Sequence, residues 1–237
     1  MLSRFALIIG YPGEINGENY CEGVLTDVYN YTNYLQSING GAWEDGDIHY
    51  KINISEKELK SYLSYMSRFD YSVVIFAGHG EYSEKYGQTI IQINKNEYIL
   101  ENELLTNTDR QLIIMDCCRV KSKVLVEDSF HKSFSMESKI FQDRLLYKNR
   151  FNQLLEKSVH DVIKIYGCSV GETARDLGRK GGLFTKNLIE SASGIEDLSI
   201  YKTFSKAKNI VVTQSRNKQN PDIEKPRSGV SFPFYIS

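Results

Sequence analysis

Two residues have side chains suited to nucleophilic catalysis and follow similar stretches of sequence. His79 comes after the apolar run 71–77, and Cys118 comes after the apolar run 111–115. A thiol attacks a peptide carbonyl as the thiolate, and an unassisted cysteine with a pKa of about 8.5 is mostly protonated at neutral pH. A neighbouring imidazole can take that proton and later return one to the leaving amine. The pair therefore predicts a catalytic dyad.

Each residue also has a simpler interpretation. His79 alone is typical of a structural histidine in a tight turn, and Cys118 alone is typical of a small buried apolar side chain. Cys117 competes with Cys118 as the nucleophile, because adjacent side chains of a strand point to opposite faces. The matching positions of His79 and Cys118 after two apolar runs favour catalysis.

The apolar runs are short and continuous, which is typical of strands covered on both faces. In an open parallel sheet, ligands bind beyond the carboxyl ends of the strands, where these two side chains emerge. Upstream, residues 5–10 and 47–54 are predicted strands. Helical spacing follows each of them, in the second case after a capping box formed by Ser55 and Glu58. This alternation predicts a mostly parallel sheet with helices on both faces.

Downstream of His79 the pattern predicts several further elements. After a polar loop at 81–87 they are a hairpin over 89–93 and 97–100, a helix over 140–155, a strand over 162–167 and a helix or strand over 203–211. The apolar side of the 140–155 helix is predicted to contain Ile140, Leu145, Phe151 and Leu154.

Composition excludes several classes of protein. A chain of 237 residues with 41% hydrophobic content can bury a full core, and a net charge of −1 gives no general attraction to nucleic acid or an anionic membrane. Four cysteines without CxxC spacing favour neither a disulfide framework nor a zinc site, which predicts a reducing, cytoplasmic location. The N-terminal apolar run is too short for a membrane span. No acidic loop suggests calcium, so no metal or other cofactor is expected.

The two motifs, Ala77-Gly78-His79-Gly80 and Asp116-Cys117-Cys118-Arg119, resemble those of the caspase and metacaspase cysteine peptidases. In metacaspases the last cysteine of such a stretch is the nucleophile, which implies Cys118. The resemblance also implies a helix that starts near 181–188 and a last strand at 232–234. The resemblance implies an α/β, caspase-like fold: a three-layer α/β/α sandwich around a mostly parallel sheet of about six strands. It also implies one peptidase domain over 1–237, with a large-subunit-like part at 1–118, a linker or insertion at 119–160 and a small-subunit-like part at 161–237.

The site can be predicted further on the same basis. The N–H groups of Gly80 and Cys118 are expected to form an oxyanion hole. Asp116, in the position of the metacaspase acid that holds a basic P1 side chain, implies cleavage after Arg or Lys, and Glu172 is a second candidate acid for that pocket. The alternative for Asp116 is capping of N–H groups at the strand end. Gly23 and Asp27 match a Gly/Asp pair that opens the first helix in these families, although Asp27 also fits a first-turn acid favoured by the helix dipole.

The leading hypothesis is a caspase-like cysteine endopeptidase that cleaves protein substrates. Similar prokaryotic proteins imply activation by a protein partner and a role in antiviral defence or cell death. Lys139, Arg144, Lys148 and Arg150 are candidate processing sites, although a solvated helical insertion explains this charged stretch better. The alternative is a catalytically inactive scaffold with the same fold, which the altered loop at Val170 and Gly171 slightly favours. A third hypothesis, an α/β hydrolase or flavodoxin-like binding module, is not favoured, because no GxGxxG motif follows the first strand.

Overall fold

The structure, a computed structural model, describes residues 2–121 and 141–237. In chain order its helices and strands are β1 (Arg4–Tyr11), α1 (Gly23–Gln36), β2 (Ile48–Ile52), α2 (Glu56–Met66), β3 (Tyr71–Gly78), β4 (Gly80–Ser83), β5 (Gln88–Gln92), β6 (Tyr98–Leu100), β7 (Arg110–Cys117), α3 (Phe141–Glu156), β8 (Val162–Tyr166), α4 (Leu183–Ser191), β9 (Leu198–Ser199), α5 (Ile200–Gln214), β10 (Asp222–Glu224) and β11 (Pro233–Tyr235).

A six-stranded sheet forms the centre of the fold, in the order β10-β8-β7-β3-β1-β2. All neighbouring strands pair in parallel except β10, which runs antiparallel to β8 at one edge. The prediction of a mostly parallel sheet of about six strands is confirmed. In the register of β3 and β7, Gly78 lies opposite Cys117. The chain therefore leaves these two neighbouring strands at the same level, which places His79 and Cys118 at one edge of the sheet.

The two faces of the sheet are covered by different layers, because alternate residues of each buried strand point to opposite sides. On one face, residues such as Ile8, Ile75 and Ile114 form a core with apolar side chains of α1, α3, α4 and α5. On the other face, residues such as Ile9, Phe76 and Met115 pack against α2 and against the small antiparallel sheet β4-β5-β6. This arrangement confirms the three-layer α/β/α sandwich.

Several predicted elements are confirmed and others differ. The 89–100 hairpin is present as β5 and β6, and the segment left open as helix or strand is helix α5. The predicted polar loop after His79 begins instead with strand β4, because its backbone pairs with β5. The predicted last strand pairs with β9 outside the central sheet.

Helix α3 packs on the first core through Phe151 and Leu155. Leu145, predicted on its apolar side, is 57% exposed, whereas Leu155, one position beyond the predicted Leu154, is buried. Ile140 and Lys139 lie outside the described residues. Within residues 2–121 and 141–237, no helix combines the length and apolarity needed to cross a bilayer.

Candidate active site

His79 stands immediately after β3, where the chain turns away from the sheet. Gly78 has φ 153°, and a Cβ on it would lie 2.5 Å from the Tyr11 carbonyl oxygen of β1, so this turn requires glycine. The imidazole Nε2 lies 3.3 Å from the Pro12 carbonyl oxygen. Because a carbonyl oxygen can only accept, this hydrogen bond requires the proton on Nε2 and leaves Nδ1 as the nitrogen that can act as a base.

Strand alternation separates the two adjacent cysteines. Cys117 is 1% exposed and packs in the core between the sheet and α2, whereas Cys118 lies on the other side and is half-buried. The Cys118 thiol donates to the Ala174 carbonyl oxygen at an Sγ–O distance of 3.8 Å. Burial raises the pKa of Cys118, and the nearby Asp116 carboxylate raises it further. Both effects favour the thiol form of Cys118 over the thiolate.

The backbone direction of Gly80 follows from the pairing of β4 with β5. The Gln92 N–H donates to the His79 carbonyl, so in the antiparallel pair the next position, Gly80 opposite Ile91, is not hydrogen-bonded. The Gly80 N–H therefore points away from β5, to the side on which the Tyr82 N–H donates to a carbonyl of the segment that follows β7.

Gly80 also lies unusually close to the nucleophile segment. A Cβ at this position would be 2.7 Å from Cys117 Sγ and 3.0 Å from the Cys118 carbonyl oxygen. Glycine is thus required for this close approach. The Gly80 amide faces the segment that carries Cys118, which is the arrangement that the predicted oxyanion hole needs.

An open cavity is lined by His79 and Cys118 together with residues of the loops around α1 and α4. The residues that line it are Cys21, Gly23, Val24, Asp27, Gly78, His79, Asp116, Cys118, Ala174, Arg175, Asp176 and Gly182. Three of these residues are aspartates and one is an arginine, so the wall carries an excess of acidic groups. The cavity brings together His79, Cys118 and Asp116 of the predicted site.

Asp116 is 6% exposed and contacts the N-terminus of α4. Its Oδ2 accepts hydrogen bonds from the Thr185 backbone N–H at 3.0 Å and from the Thr185 hydroxyl at 2.7 Å. Its Oδ1 is buried and has no hydrogen-bond partner among the described residues. Burial raises the pKa of Asp116 to about 6, although the Thr185 hydrogen bonds act in the opposite direction.

Asp27 is the second buried acid of the cavity. It lies in the second turn of α1, so its interpretation as a first-turn acid is wrong. Both of its carboxylate oxygens accept from the Gly182 N–H, at 2.8 and 3.0 Å. Burial raises the pKa of Asp27, and the Asp116 charge raises it further. A Cβ on Gly182 would lie 2.5 Å from Asp116 Oδ2, so glycine here allows the two carboxylates to share the end of α4.

The third cavity acid is Asp176, which the sequence reasoning missed. Its carboxylate accepts from the Gly23 N–H at 3.1 Å and from the Gly178 N–H at 2.7 Å. Glu172, the predicted second acid, does not line the cavity. Its carboxylate instead binds donors of Ser169 and Asn220. In the loop after β8, the acid that lines the cavity is therefore Asp176, four positions after the predicted Glu172.

Arg119 follows Cys118 directly but does not line the cavity. It is 4% exposed, its guanidinium lies 3.8 Å from the centroid of the Tyr166 ring, and its Nε donates to the Thr89 hydroxyl at 3.0 Å. The basic residue of the cavity wall is the exposed Arg175, whose backbone N–H donates to Gln219. Within the described ranges, there is no group of three or more His, Cys, Asp or Glu side chains that could bind a metal ion.

A family model described as "Caspase domain" matches residues 3–230. The chain therefore belongs to the caspase domain family, which is a family of cysteine peptidases. Among solved structures, the chain is similar to caspase-1 from Spodoptera frugiperda, with a TM-score of 0.63 and 14% sequence identity, over 94% of this chain and 86% of that chain. At this identity the likeness supports the caspase-like fold alone. The curated proteins contain no match to the sequence.

Proposed function

We propose that this protein is a cysteine endopeptidase that cleaves protein substrates after Arg or Lys, with Cys118 as nucleophile and His79 as general base. The observation that carries the proposal is the cavity beside Cys118, whose wall holds the carboxylates of Asp27, Asp116 and Asp176. A basic P1 side chain that enters this cavity meets acidic groups next to the thiol. Charge-assisted hydrogen bonds to a guanidinium or ammonium are about twice as strong as neutral ones.

The chemical steps follow from the placement of the side chains. With a P1 side chain in the cavity, the scissile carbonyl lies over Cys118, and His79 Nδ1 takes the thiol proton as sulfur attacks the carbonyl carbon. The Gly80 and Cys118 N–H groups stabilise the oxyanion, a contribution typically worth about 3 kcal/mol per donor. The imidazolium then protonates the leaving amine, and water hydrolyses the thioester.

The resting state of the site supports a need for activation. The Cys118 thiol donates to the Ala174 carbonyl, and its raised pKa opposes thiolate formation in the empty site. We include in the proposal a protein partner that triggers activity, in an antiviral or cell-death role within the cytoplasm. The raised pKa of Cys118 also favours the second candidate function, an inactive scaffold in which Cys118 never forms a thiolate.

The test is hydrolysis of fluorogenic peptides with Arg, Lys or Asp at P1, by the wild type and by the Cys118→Ala, His79→Ala and Cys117→Ala variants, with and without calcium. We expect cleavage after Arg and Lys that is lost with Cys118 or His79, survives the loss of Cys117 and does not need calcium. Cleavage after Asp would overturn the specificity and implicate Arg175.

A peptidase awaiting its partner and an inactive scaffold would both cleave no peptide. Labelling with an Arg-containing acyloxymethyl ketone separates them, because such a reagent needs both the basic pocket and a competent thiol. Labelling of Cys118 that is lost in His79→Ala supports the peptidase. Absence of labelling in the full-length protein, alone and in lysate of its host, supports the scaffold.

A further inference from the structure

One loop contributes both a backbone acceptor and an acidic side chain to the cavity. This site loop, residues 167–176, follows β8 and supplies the Ala174 carbonyl that accepts the Cys118 thiol hydrogen. It also supplies Asp176 to the cavity wall. The position of the site loop therefore determines both how the thiol is covered and where one acid of the pocket lies.

The site loop is joined directly to the segment that carries the nucleophile. The Arg119 N–H donates to the Glu172 carbonyl at 3.0 Å, and the Gly171 N–H donates to the Arg119 carbonyl at 2.8 Å. The Cys168 thiol of the site loop donates to the Cys117 carbonyl at 3.3 Å. A displacement of Glu172 is thus transmitted to the residue that follows Cys118.

The carboxylate of Glu172 fixes the same loop to the C-terminal part of the chain. Its Oε2 accepts from the Ser169 N–H at 3.2 Å and from the Asn220 N–H at 2.6 Å, and its Oε1 accepts from Asn220 Nδ2 at 2.6 Å. The Ser169 hydroxyl donates to the Asn220 carbonyl at 2.7 Å. Both carboxylate oxygens are therefore engaged by donors of the protein itself, which argues against a direct contact with substrate.

The C-terminal turn, residues 215–220, is shaped to reach this loop. Arg216 and Asn217 have φ of 55° and 61°, a left-handed conformation that reverses the chain after α5. Gln219 is fully buried, and its amide donates to the Gly167 carbonyl at 2.8 Å and accepts from the Arg175 N–H at 3.0 Å. Gln219 thus holds both ends of the site loop, and Glu172 holds its middle.

We propose that Glu172 is a positioning residue, which holds the site loop on the C-terminal turn and thereby sets the cover over Cys118 and the place of Asp176. The catalytic meaning of this role rests on the proposed function, whereas the structural coupling to Cys118 does not. Glu172→Gln is the informative variant, because glutamine keeps the shape but turns an NH2 group towards donors of Asn220 or of the backbone. A mispaired hydrogen bond of this kind opens the loop in a larger fraction of molecules.

The rate of peptide cleavage and the rate of Cys118 alkylation together distinguish a positioning role of Glu172 from other roles. In Glu172→Gln we expect kcat/KM to fall about tenfold, and equally for Arg and Lys peptides, because fewer molecules have a formed cleft. We expect alkylation of Cys118 by iodoacetamide, followed by peptide mass spectrometry, to become faster, because the Ala174 carbonyl no longer covers the thiol. Asn220→Ala should move both rates in the same direction, and the double variant should change them by less than the product of the single effects.

Asp197→Asn is the matched control. The Asp197 carboxylate also ties C-terminal backbone to the body, accepting from the Ser237 N–H at 3.0 Å, but it does not line the cavity. It should lower thermal stability without changing either rate. Unchanged alkylation in both Glu172→Gln and Asn220→Ala would overturn the proposal. So would a fall in kcat/KM that differs between the Arg and Lys peptides, which would make Glu172 a substrate contact.

The alkylation arm needs no peptidase activity. If the wild type neither cleaves peptides nor reacts with the Arg-containing acyloxymethyl ketone, alone and in host lysate, while Glu172→Gln still accelerates alkylation of Cys118, the proposed function fails and the positioning role stands. If Glu172→Gln does not fold, Asn220→Ala, which keeps the backbone hydrogen bond to Glu172, carries the same test.

Discussion

The replacement of Asp116 by Asn tests how much the free energy of unfolding falls when this buried carboxyl group ionises. The carboxyl group is 6% exposed, and its Oδ2 accepts two hydrogen bonds from Thr185. Asparagine has nearly the same shape and keeps one acceptor oxygen for Thr185, but it has no charge and does not titrate. The comparison of the two proteins across pH therefore reports the ionisation of Asp116 together with the part of the Asp27 pKa shift that the Asp116 charge causes.

The sign and the size follow from the shifted pKa. Burial raises the pKa of Asp116 from 3.8 to about 6, so between these values the folded protein binds the proton more strongly than the unfolded chain. The contribution of Asp116 to stability is thus complete below pH 3.8 and is lost as the pH rises through about 6. Between about pH 4 and pH 7.5 the loss amounts to about 2 kcal/mol.

We expect the free energy of unfolding of Asp116→Asn, minus that of the wild type, to increase by this amount over the same pH range. Urea denaturation followed by circular dichroism at half-unit steps of pH measures it. Asp70→Asn is a control of opposite sign, because hydrogen bonds from Ser3 lower the pKa of the exposed Asp70. A difference that does not vary with pH for Asp116→Asn would refute the reasoning.

The same variant separates the two interpretations of Asp116. If this carboxylate holds the P1 cation, its loss should lower kcat/KM for Arg and Lys peptides by about 10- to 100-fold, the equivalent of one hydrogen bond to a charged group. If Asp116 only caps α4, the stability difference will still vary with pH, but cleavage after Arg will be unchanged.

Three further outcomes follow from the contacts described. Cys118→Ala should abolish cleavage, whereas Cys117→Ala, in the core on the other face, should keep the rate constants and lose about 1 kcal/mol of stability in urea. Arg119→Lys should cost about 1–2 kcal/mol in the same assay, because lysine lacks the planar contact with Tyr166 and the hydrogen bond to Thr89. Intact-mass analysis of an active preparation should show no cut after Arg144, whose guanidinium donates to two backbone carbonyls from within α3; an N-terminus at residue 145 would contradict this.

The parts of the site that the sequence predicts are those fixed by strands. His79 and Cys118 follow continuous apolar runs, and parallel strands of equal register deliver their carboxyl ends to one edge. Alternation then assigns Cys117 and Cys118 to opposite faces once the core face is known. These inferences need only local pattern and the geometry of a sheet.

The parts that the sequence does not predict depend on contacts between distant segments. Asp27 and Asp116 meet only because Gly182 and Thr185 bring the start of α4 between them. Glu172 and Asp176 lie four residues apart in one loop. Asn220 binds the Glu172 carboxylate, whereas Asp176 lines the cavity. No periodicity within the loop encodes that difference.

For the acids of the cavity, the burial that the proposed function requires does not favour stability. In the described part of the chain, Asp27, Asp116 and Asp176 form no ion pair, and they are held instead by backbone N–H groups and one hydroxyl. A lysine or arginine of the protein itself would offset the unfavourable free energy of burying these charges. It would also occupy the place proposed for the P1 side chain. Amide donors at the start of α4 stabilise negative charge without filling the cavity, because their dipoles act from the wall. No cation among the residues that the structure describes offsets the burial of Asp116, which makes its ionisation unfavourable. For the same reason the cavity next to Cys118 stays acidic and open to a basic P1 side chain.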